Sequence, residues 1–178
     1  IMEPLTRMDE EDGKNVRGGA GAESWESNED GSVWTFKLRE NQWSDGKPVT
    51  AEDYVYGITR TLDPEAGSPN AYLITCIKNG VAVNNGEKAV SEKTLEITLE
   101  SPTPYFLSLT DTRAMFPQRK DIVEKYGETY GAEKDNIVGN GPFVLQTWTH
   151  NSEIVLAKNE KYWDAENVHL QNVNYKIL

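Results

Sequence analysis

Between Trp34 and Leu62 the chain holds a strand, a turn and a capped helix in direct succession, and this run narrows the available folds more than any other feature. Apolar and polar residues alternate in Trp34-Thr35-Phe36-Lys37-Leu38-Arg39, so Trp34, Phe36 and Leu38 point one way and Thr35, Lys37 and Arg39 the other. This pattern predicts a half-buried strand, with Asp30-Gly31 as a hairpin signal before it. A second Asp-Gly, Asp45-Gly46, turns the chain ahead of Lys47-Pro48-Val49. Thr50-Ala51-Glu52-Asp53 then opens a helix, because the threonine hydroxyl can take an orphan amide while Asp53 reaches back to the helix start. Tyr54, Val55, Ile58 and Leu62 form its apolar stripe, and Asp63-Pro64 ends it.

The rest of the chain continues in the same mixed style. The first twenty-odd residues are polar and glycine-rich, leaving room for a short strand around Leu5 to Met8. A second helix is expected from about Pro69 to Lys78, stopped by Asn79-Gly80. Leu95, Ile97 and Leu99 alternate with polar neighbours as a strand, which Ser101-Pro102-Thr103-Pro104 closes. Tyr105 to Leu109 reads as a helical turn or two, and Ile122, Val123 and Tyr126 mark a helix over 118–126 with Gly127 behind it. A glycine-rich loop covers Asn136 to Pro142. Phe143 to Trp148 and Glu153 to Lys158 form a hairpin, and Asn172 to Ile177 a last strand. The fold class is therefore α/β, mixed α+β with substantial antiparallel pairing.

The chain has 178 residues, which suits one domain or one large lobe of a bigger protein. Its 18 Lys and Arg against 29 Asp and Glu give a net charge of −11, a field that repels nucleic acid and anionic lipid. No run approaches the ~18 apolar residues of a spanning helix. The sequence opens Ile1-Met2-Glu3-Pro4-Leu5 with no signal-peptide pattern, as if cut from something longer. The single cysteine, Cys76, excludes an intrachain disulfide and stands in an apolar run, where it reads as a small buried hydrophobe rather than a nucleophile. Two histidines, His150 and His169, leave few participants for zinc or Ser-His-Asp chemistry.

The other chemical motifs are incomplete. The runs Asp9 to Asp12 and Glu23, Glu26, Glu29, Asp30 flank turn signals and read as solvated surface rather than a glycosidase pair. Nothing matches a calcium loop, and Gly139-Asn140-Gly141 lacks the Lys-Ser/Thr of a phosphate-binding loop, so it reads as a tight turn. Trp25, Trp34 and Trp148 lie on alternating strands and are expected in the core rather than on a sugar-stacking platform. No catalytic or metal residue and no cofactor is assigned.

One set of motifs goes further. Ala22-Glu23-Ser24-Trp25-Glu26, Trp34 to Arg39 and Trp43-Ser44-Asp45-Gly46-Lys47-Pro48-Val49-Thr50-Ala51-Glu52-Asp53-Tyr54-Val55-Tyr56 closely resemble the signature region of the family 5 bacterial extracellular solute-binding proteins, the oligopeptide-binding type of peptide ABC importers. Pro102-Thr103-Pro104-Tyr105-Phe106, Asn140-Gly141-Pro142-Phe143 and Asn159-Glu160-Lys161-Tyr162-Trp163-Asp164 follow in the family's order. The resemblance implies a periplasmic-binding-protein-like type II fold, two α/β lobes closing over an extended peptide. It implies that this chain is an incomplete first lobe, with residues 1–117 a smaller subdomain, 118–178 part of the main lobe and the second lobe absent. It further implies no enzyme activity, an oligopeptide ligand, ABC permease subunits as partners, and a periplasmic or lipid-anchored cell-surface location through an anchor that precedes Ile1.

For the site, the resemblance points to the loop after Ser68-Pro69, through Asn70, Ala71 and Tyr72, and to Thr112 and Arg113 in the stretch before Pro117. Tyr72 reads equally as a helix core residue or a peptide contact, and Arg113 as ordinary surface or a carboxylate clamp. Gly18-Gly19-Ala20-Gly21 stands where relatives carry a proline-containing approach, and the loop after Asn84-Asn85-Gly86-Glu87-Lys88 reads as shortened before Val90. Alternative functions are the same fold binding a sugar or metal complex, a peptide-sensing receptor, or a carbohydrate-active enzyme.

Overall fold

The computed structural model describes residues 1–80 and 87–177, so Asn84, Asn85 and Gly86 of the loop read as shortened before Val90 lie outside the described residues. The chain divides into two compact units whose stretches interleave: Pro4–Arg39 with Thr50–Gln118, and Ile1–Glu3 with Glu40–Val49 and Arg119–Leu178.

The first of these begins with a hairpin of β1 (Thr6–Glu11) and β2 (Lys14–Gly19). Asp12 and Gly13 close it with φ of 51° and 72°, the left-handed pair that a two-residue hairpin turn needs. The short strand expected at Leu5 to Met8 is thus half of a longer hairpin. Neither of its faces is fully buried, so the alternation that marks a strand in sequence is missing.

An antiparallel sheet of order β3-β4-β6-β5 follows, from β3 (Ala22–Ser27), β4 (Val33–Leu38), β5 (Glu87–Ser91) and β6 (Thr94–Thr98). Phe36 stands opposite Leu95, and Trp34 opposite Ile97. Phe36, Leu95 and Ile97 are fully buried, as the alternation in both strands requires. Helix α1 (Ala51–Leu62) runs along the β5–β6 side and buries Tyr54, Ile58 and Leu62. At its start the Asp53 carboxylate accepts from the Thr50 backbone N–H at 2.9 Å and from the Thr50 hydroxyl at 3.3 Å. Asp53→Ala is expected to cost about 1 kcal/mol, the usual loss for a helix N-terminal cap. Urea denaturation of the two proteins side by side measures this, and an unchanged midpoint would remove the cap from the account. A short helix, α2 (Phe106–Leu109), seats Phe106 against Trp34 with ring centroids 5.7 Å apart.

The helix expected over 69–78 does not form. Only a single 3₁₀ turn, Ala71–Ile74, is present, after which the chain joins the sheet. Ile77 bridges Leu99, Lys78 N–H donates to the Thr98 carbonyl and Glu100 N–H donates to the Cys76 carbonyl, each at 2.9 Å for the two hydrogen bonds. Those backbone groups pair with the sheet, so no helical ladder can use them.

The second unit contains α3 (Lys120–Tyr126) and a three-stranded antiparallel sheet of β7 (Phe143–Thr149), β8 (Glu153–Lys158) and β9 (Asn172–Lys176) in that order. Its largest fully buried side chain is Trp43, which lies in a loop. Trp25, Trp34 and Trp148, expected in the core from their strands, are only half-buried. The Trp43 loop is closed by Trp43 N–H to the Lys47 carbonyl at 2.8 Å, with Gly46 at φ 92°. Arg119, itself buried, lies over the Trp43 ring at 5.8 Å and donates to both oxygens of Asp45 at 3.0 and 3.1 Å. It also grips Asp121 through two hydrogen bonds of 2.7 Å, and Lys47 completes the group with a 2.7 Å contact to Asp121. The Trp-Ser-Asp-Gly-Lys block is therefore a loop clamped by one guanidinium.

Gly139-Asn140-Gly141 does not form the expected tight turn, and neither glycine has positive φ. A Cβ on Gly139 or Gly141 would come within 2.7 or 2.8 Å of the Ile1 carbonyl oxygen. The glycines admit the first residues of the chain. Gly141 N–H donates to Ile1 O at 2.7 Å, and Glu3 N–H donates to the Asn140 side chain at 2.8 Å. Glu3 in turn accepts from the Tyr162 hydroxyl at 2.7 Å.

Candidate functional site

Two short turns carry the residues singled out in sequence. In the first, Asn70 N–H meets the Ser68 hydroxyl at 3.3 Å, and the Asn70 carbonyl accepts from Leu73 N–H at 3.1 Å to start the turn Ala71–Ile74. Ile74 is fully buried and anchors the turn, while Tyr72 is 72% exposed. The reading of Tyr72 as a helix core residue therefore falls. Neither the Asn70 carboxamide nor the Tyr72 phenol has a hydrogen-bond partner among the described residues. Ala71 and Ser68 contribute to an open groove of about 440 Å³ with Leu62, Asp63 and Gly80.

The second turn is Arg113–Met115, held by buried Ala114 and Met115 on its inner side. Thr112 sits before it. Its hydroxyl donates to the Leu109 carbonyl at 2.7 Å, so its proton is committed and only its lone pairs remain available. Arg113 is exposed, and its guanidinium has no partner among the described residues. The turn Ala71–Ile74 lies directly beside Arg113–Met115, although about forty residues separate them in sequence. The fold thus brings together the turns that hold Ala71, Tyr72 and Arg113, with Asn70 and Thr112 each one residue ahead of its turn.

A polar relay behind the second turn has no sequence signal. Arg17 Nη1 donates to Asp111 Oδ2 at 2.8 Å and to Thr6 Oγ1 at 2.9 Å. Thr6 Oγ1 lies 2.6 Å from Thr110 Oγ1, whose own proton goes to the Leu107 carbonyl at 2.8 Å. Since Arg17 can only donate, the chain of bonds runs one way, from Arg17 through Thr6 and Thr110 to Leu107. Both threonines are fully buried. The relay joins residues 94 and 104 positions apart, a separation that no local pattern reports.

Other reactive groups do not gather. Cys76 is half-buried rather than buried, and burial pushes its thiol up, away from the thiolate form. His150 stacks on Trp148 with centroids 4.7 Å apart and meets Glu133 at 3.1 Å on the surface. Among the described residues no three His, Cys, Asp or Glu side chains converge as a metal site, and no helix is long and apolar enough to cross a membrane.

Comparison with known proteins matches this architecture. The family model described as "Bacterial extracellular solute-binding proteins, family 5 Middle" covers residues 19–178. The chain is 39% identical over its whole length to the dipeptide-binding protein DppE of Bacillus subtilis and covers 34% of that protein. It is 40% identical, again over its whole length, to 35% of the probable deoxycholate-binding periplasmic protein YgiS of Escherichia coli. Among solved structures, Listeria monocytogenes OppA bound to peptide superimposes with a TM-score of 0.91 at 41% identity, over 99% of this chain and 36% of that one. The chain spans about a third of the length of these relatives. Sequence match, fold and motif order agree, and the chain belongs to the bacterial extracellular solute-binding proteins of family 5.

Proposed function

We propose that this chain is part of the first lobe of a receptor that captures oligopeptides outside the cytoplasmic membrane and delivers them to an ABC permease. The observation that carries the reading is the TM-score of 0.91 at 41% identity to a relative solved with peptide bound. In this reading the unit built on the four-stranded sheet is the smaller subdomain, and the unit containing Trp43 is the beginning of the main lobe. Asn70, Ala71, Tyr72, Thr112 and Arg113 face the ligand. The peptide main chain adds to protein backbone like an extra strand, which gives affinity with little dependence on sequence. Closure of two lobes stabilises the bound state, because both then contact the ligand. The protein works as a binding component rather than an enzyme, in the periplasm or on the cell surface as a lipoprotein.

Calorimetric titration with a pool of tri- to hexapeptides tests this. Heat is expected with the full-length protein, and weak or no heat with the 178-residue chain alone. A dissociation constant below ~1 μM for the isolated chain, about −8 kcal/mol, would contradict a two-lobe trap. The 40% identity to a probable deoxycholate-binding protein supports a second reading, an amphipathic non-peptide solute. Heat with deoxycholate and none with peptides would select it.

A further inference from the structure

We infer that a further strand, from outside these 178 residues, covers the outer edge of β9 in the full-length protein, an inference that rests on the reading of this chain as part of a larger lobe. Which groups of β9 lie open follows from its ladder with β8. The two strands pair without a register shift from Glu153↔Lys176 to Ala157↔Asn172. At the ends of that ladder Ile177 N–H donates to the Ser152 carbonyl and Lys158 N–H to the Gln171 carbonyl, both at 2.8 Å. Antiparallel bonding alternates along a strand, so Gln171, Val173, Tyr175 and Ile177 turn their backbone groups to β8. Asn172, Asn174 and Lys176 turn theirs the other way. The backbone N–H and C=O groups of these three have no partner among the described residues.

The other edges of the two larger sheets are built differently. β3 shifts register between Ala22 and Ser24, β5 between Ala89 and Ser91, and β7 between Leu145 and Thr147. Each shift sets one residue out of the ladder and spoils the edge as a template for another strand. The interior pair β4–β6 has no shift, and neither has β8–β9. β9 therefore has the regularity of an interior strand at an edge position. Its residues agree, since Asn172-Val173-Asn174-Tyr175-Lys176 contains no proline and a single charge. Leu170, Tyr175 and Ile177 are 61%, 55% and 50% exposed, so apolar surface accompanies the open backbone. An edge covered only by a visiting peptide or a second copy would stand bare between visits, and a bare regular edge pairs wrongly. A permanent cover removes that hazard. The relatives, of which this chain covers 34–36%, have the length to supply one.

Amide hydrogen exchange of the full-length protein, dilute and without peptide, tests this. The amides of Asn172, Asn174 and Lys176 are expected to exchange at least about 100-fold more slowly than in an unstructured chain. Val173 and Tyr175, turned to β8, serve as protected references. Fast exchange at the three outward positions overturns the inference. Protection that appears only with added peptide, or only as protein concentration rises, also overturns it, by making the ligand or a second copy the cover. A photo-reactive benzoylphenylalanine in place of Asn174, whose side chain is exposed, then identifies the cover. A crosslink within the same molecule to sequence outside these 178 residues is expected, and a crosslink to residues inside them overturns the inference. Absence of peptide binding in calorimetry would remove the peptide reading alone, because the exchange experiment contains no ligand.

Discussion

Replacing Arg119 by methionine is expected to destabilise the unit that contains Trp43 by about 2–4 kcal/mol, below the full penalty of a completely buried pair because the carboxylates reach water. The arginine side chain is 6% exposed, while Asp45 and Asp121 are 34% and 49% exposed. Methionine keeps much of the volume over the Trp43 ring but removes five donors at once, leaving the Asp121 carboxylate with Lys47 as its cation and Asp45 without the guanidinium. Equilibrium urea denaturation followed by tryptophan fluorescence reads the loss, since Trp43 is fully buried in the native state.

The pH dependence of that loss separates its parts. Hydrogen bonds from Arg119, then from Lys47, hold the Asp121 carboxyl well below the usual carboxylate range. A carboxyl depressed in the folded state contributes stability that is fully present above its unfolded pKa, near 4, and is lost as pH falls toward the folded value. The gap between wild type and Arg119→Met should therefore be widest near neutrality and narrow as pH drops from 4 toward 2. A gap constant over that range would assign the whole effect to the packing of Arg119 on Trp43. Because Asp121 is half exposed, the pH-dependent share is expected to be the smaller one.

Gly57→Ala is the second large effect, and propensity alone predicts its opposite. Alanine in a helix interior is ordinarily favoured over glycine by about 1 kcal/mol. Gly57 lies within α1, where a Cβ would press on the Phe116 carbonyl oxygen far inside van der Waals contact and would come within 3.1 Å of Gln118 N. Those atoms are backbone and cannot swing aside. Gln118 N–H also donates to the Asp53 carbonyl at 2.9 Å, so the segment after the Arg113–Met115 turn is fastened to the same helix. Relief would require moving that segment, and the expected cost is about 2–4 kcal/mol despite the propensity gain. Thermal unfolding of the variant checks this, and an unchanged or raised midpoint would show that the segment yields freely.

Much of the local structure was legible in the residues. Alternation marked β4, β6 and the β7–β8 hairpin, and Asp30-Gly31 and Asp63-Pro64 marked the turn before β4 and the end of α1. These signals work because they report one face meeting a core or one backbone group needing a cap, both within a few residues. The motif order also identified the family, since the signature is made of such local devices. It was less informative about the site. Spacing allowed Tyr72 a place in a helix core and the resemblance a place at a ligand, and its exposure removes the first of these.

What the sequence by itself determined is β4, β6, the β7–β8 hairpin and the two ends of α1, and with them the family. The tertiary structure decided which backbone groups pair across long separations, and it moved several residues from their local promise. The apolar run after Pro69 had a helix-like spacing, yet its backbone bonds went to the end of β6. Trp43 became the buried tryptophan because Arg119, 76 positions on by sequence numbering, clamps its loop. A division read along the chain is contiguous, whereas the compact units exchange residues 1–3 and 40–49. Arg17 and Asp111 met for the same reason. Hydrogen bonds and ion pairs between distant residues depend on where the whole chain carries them, and no window of neighbouring residues contains that information.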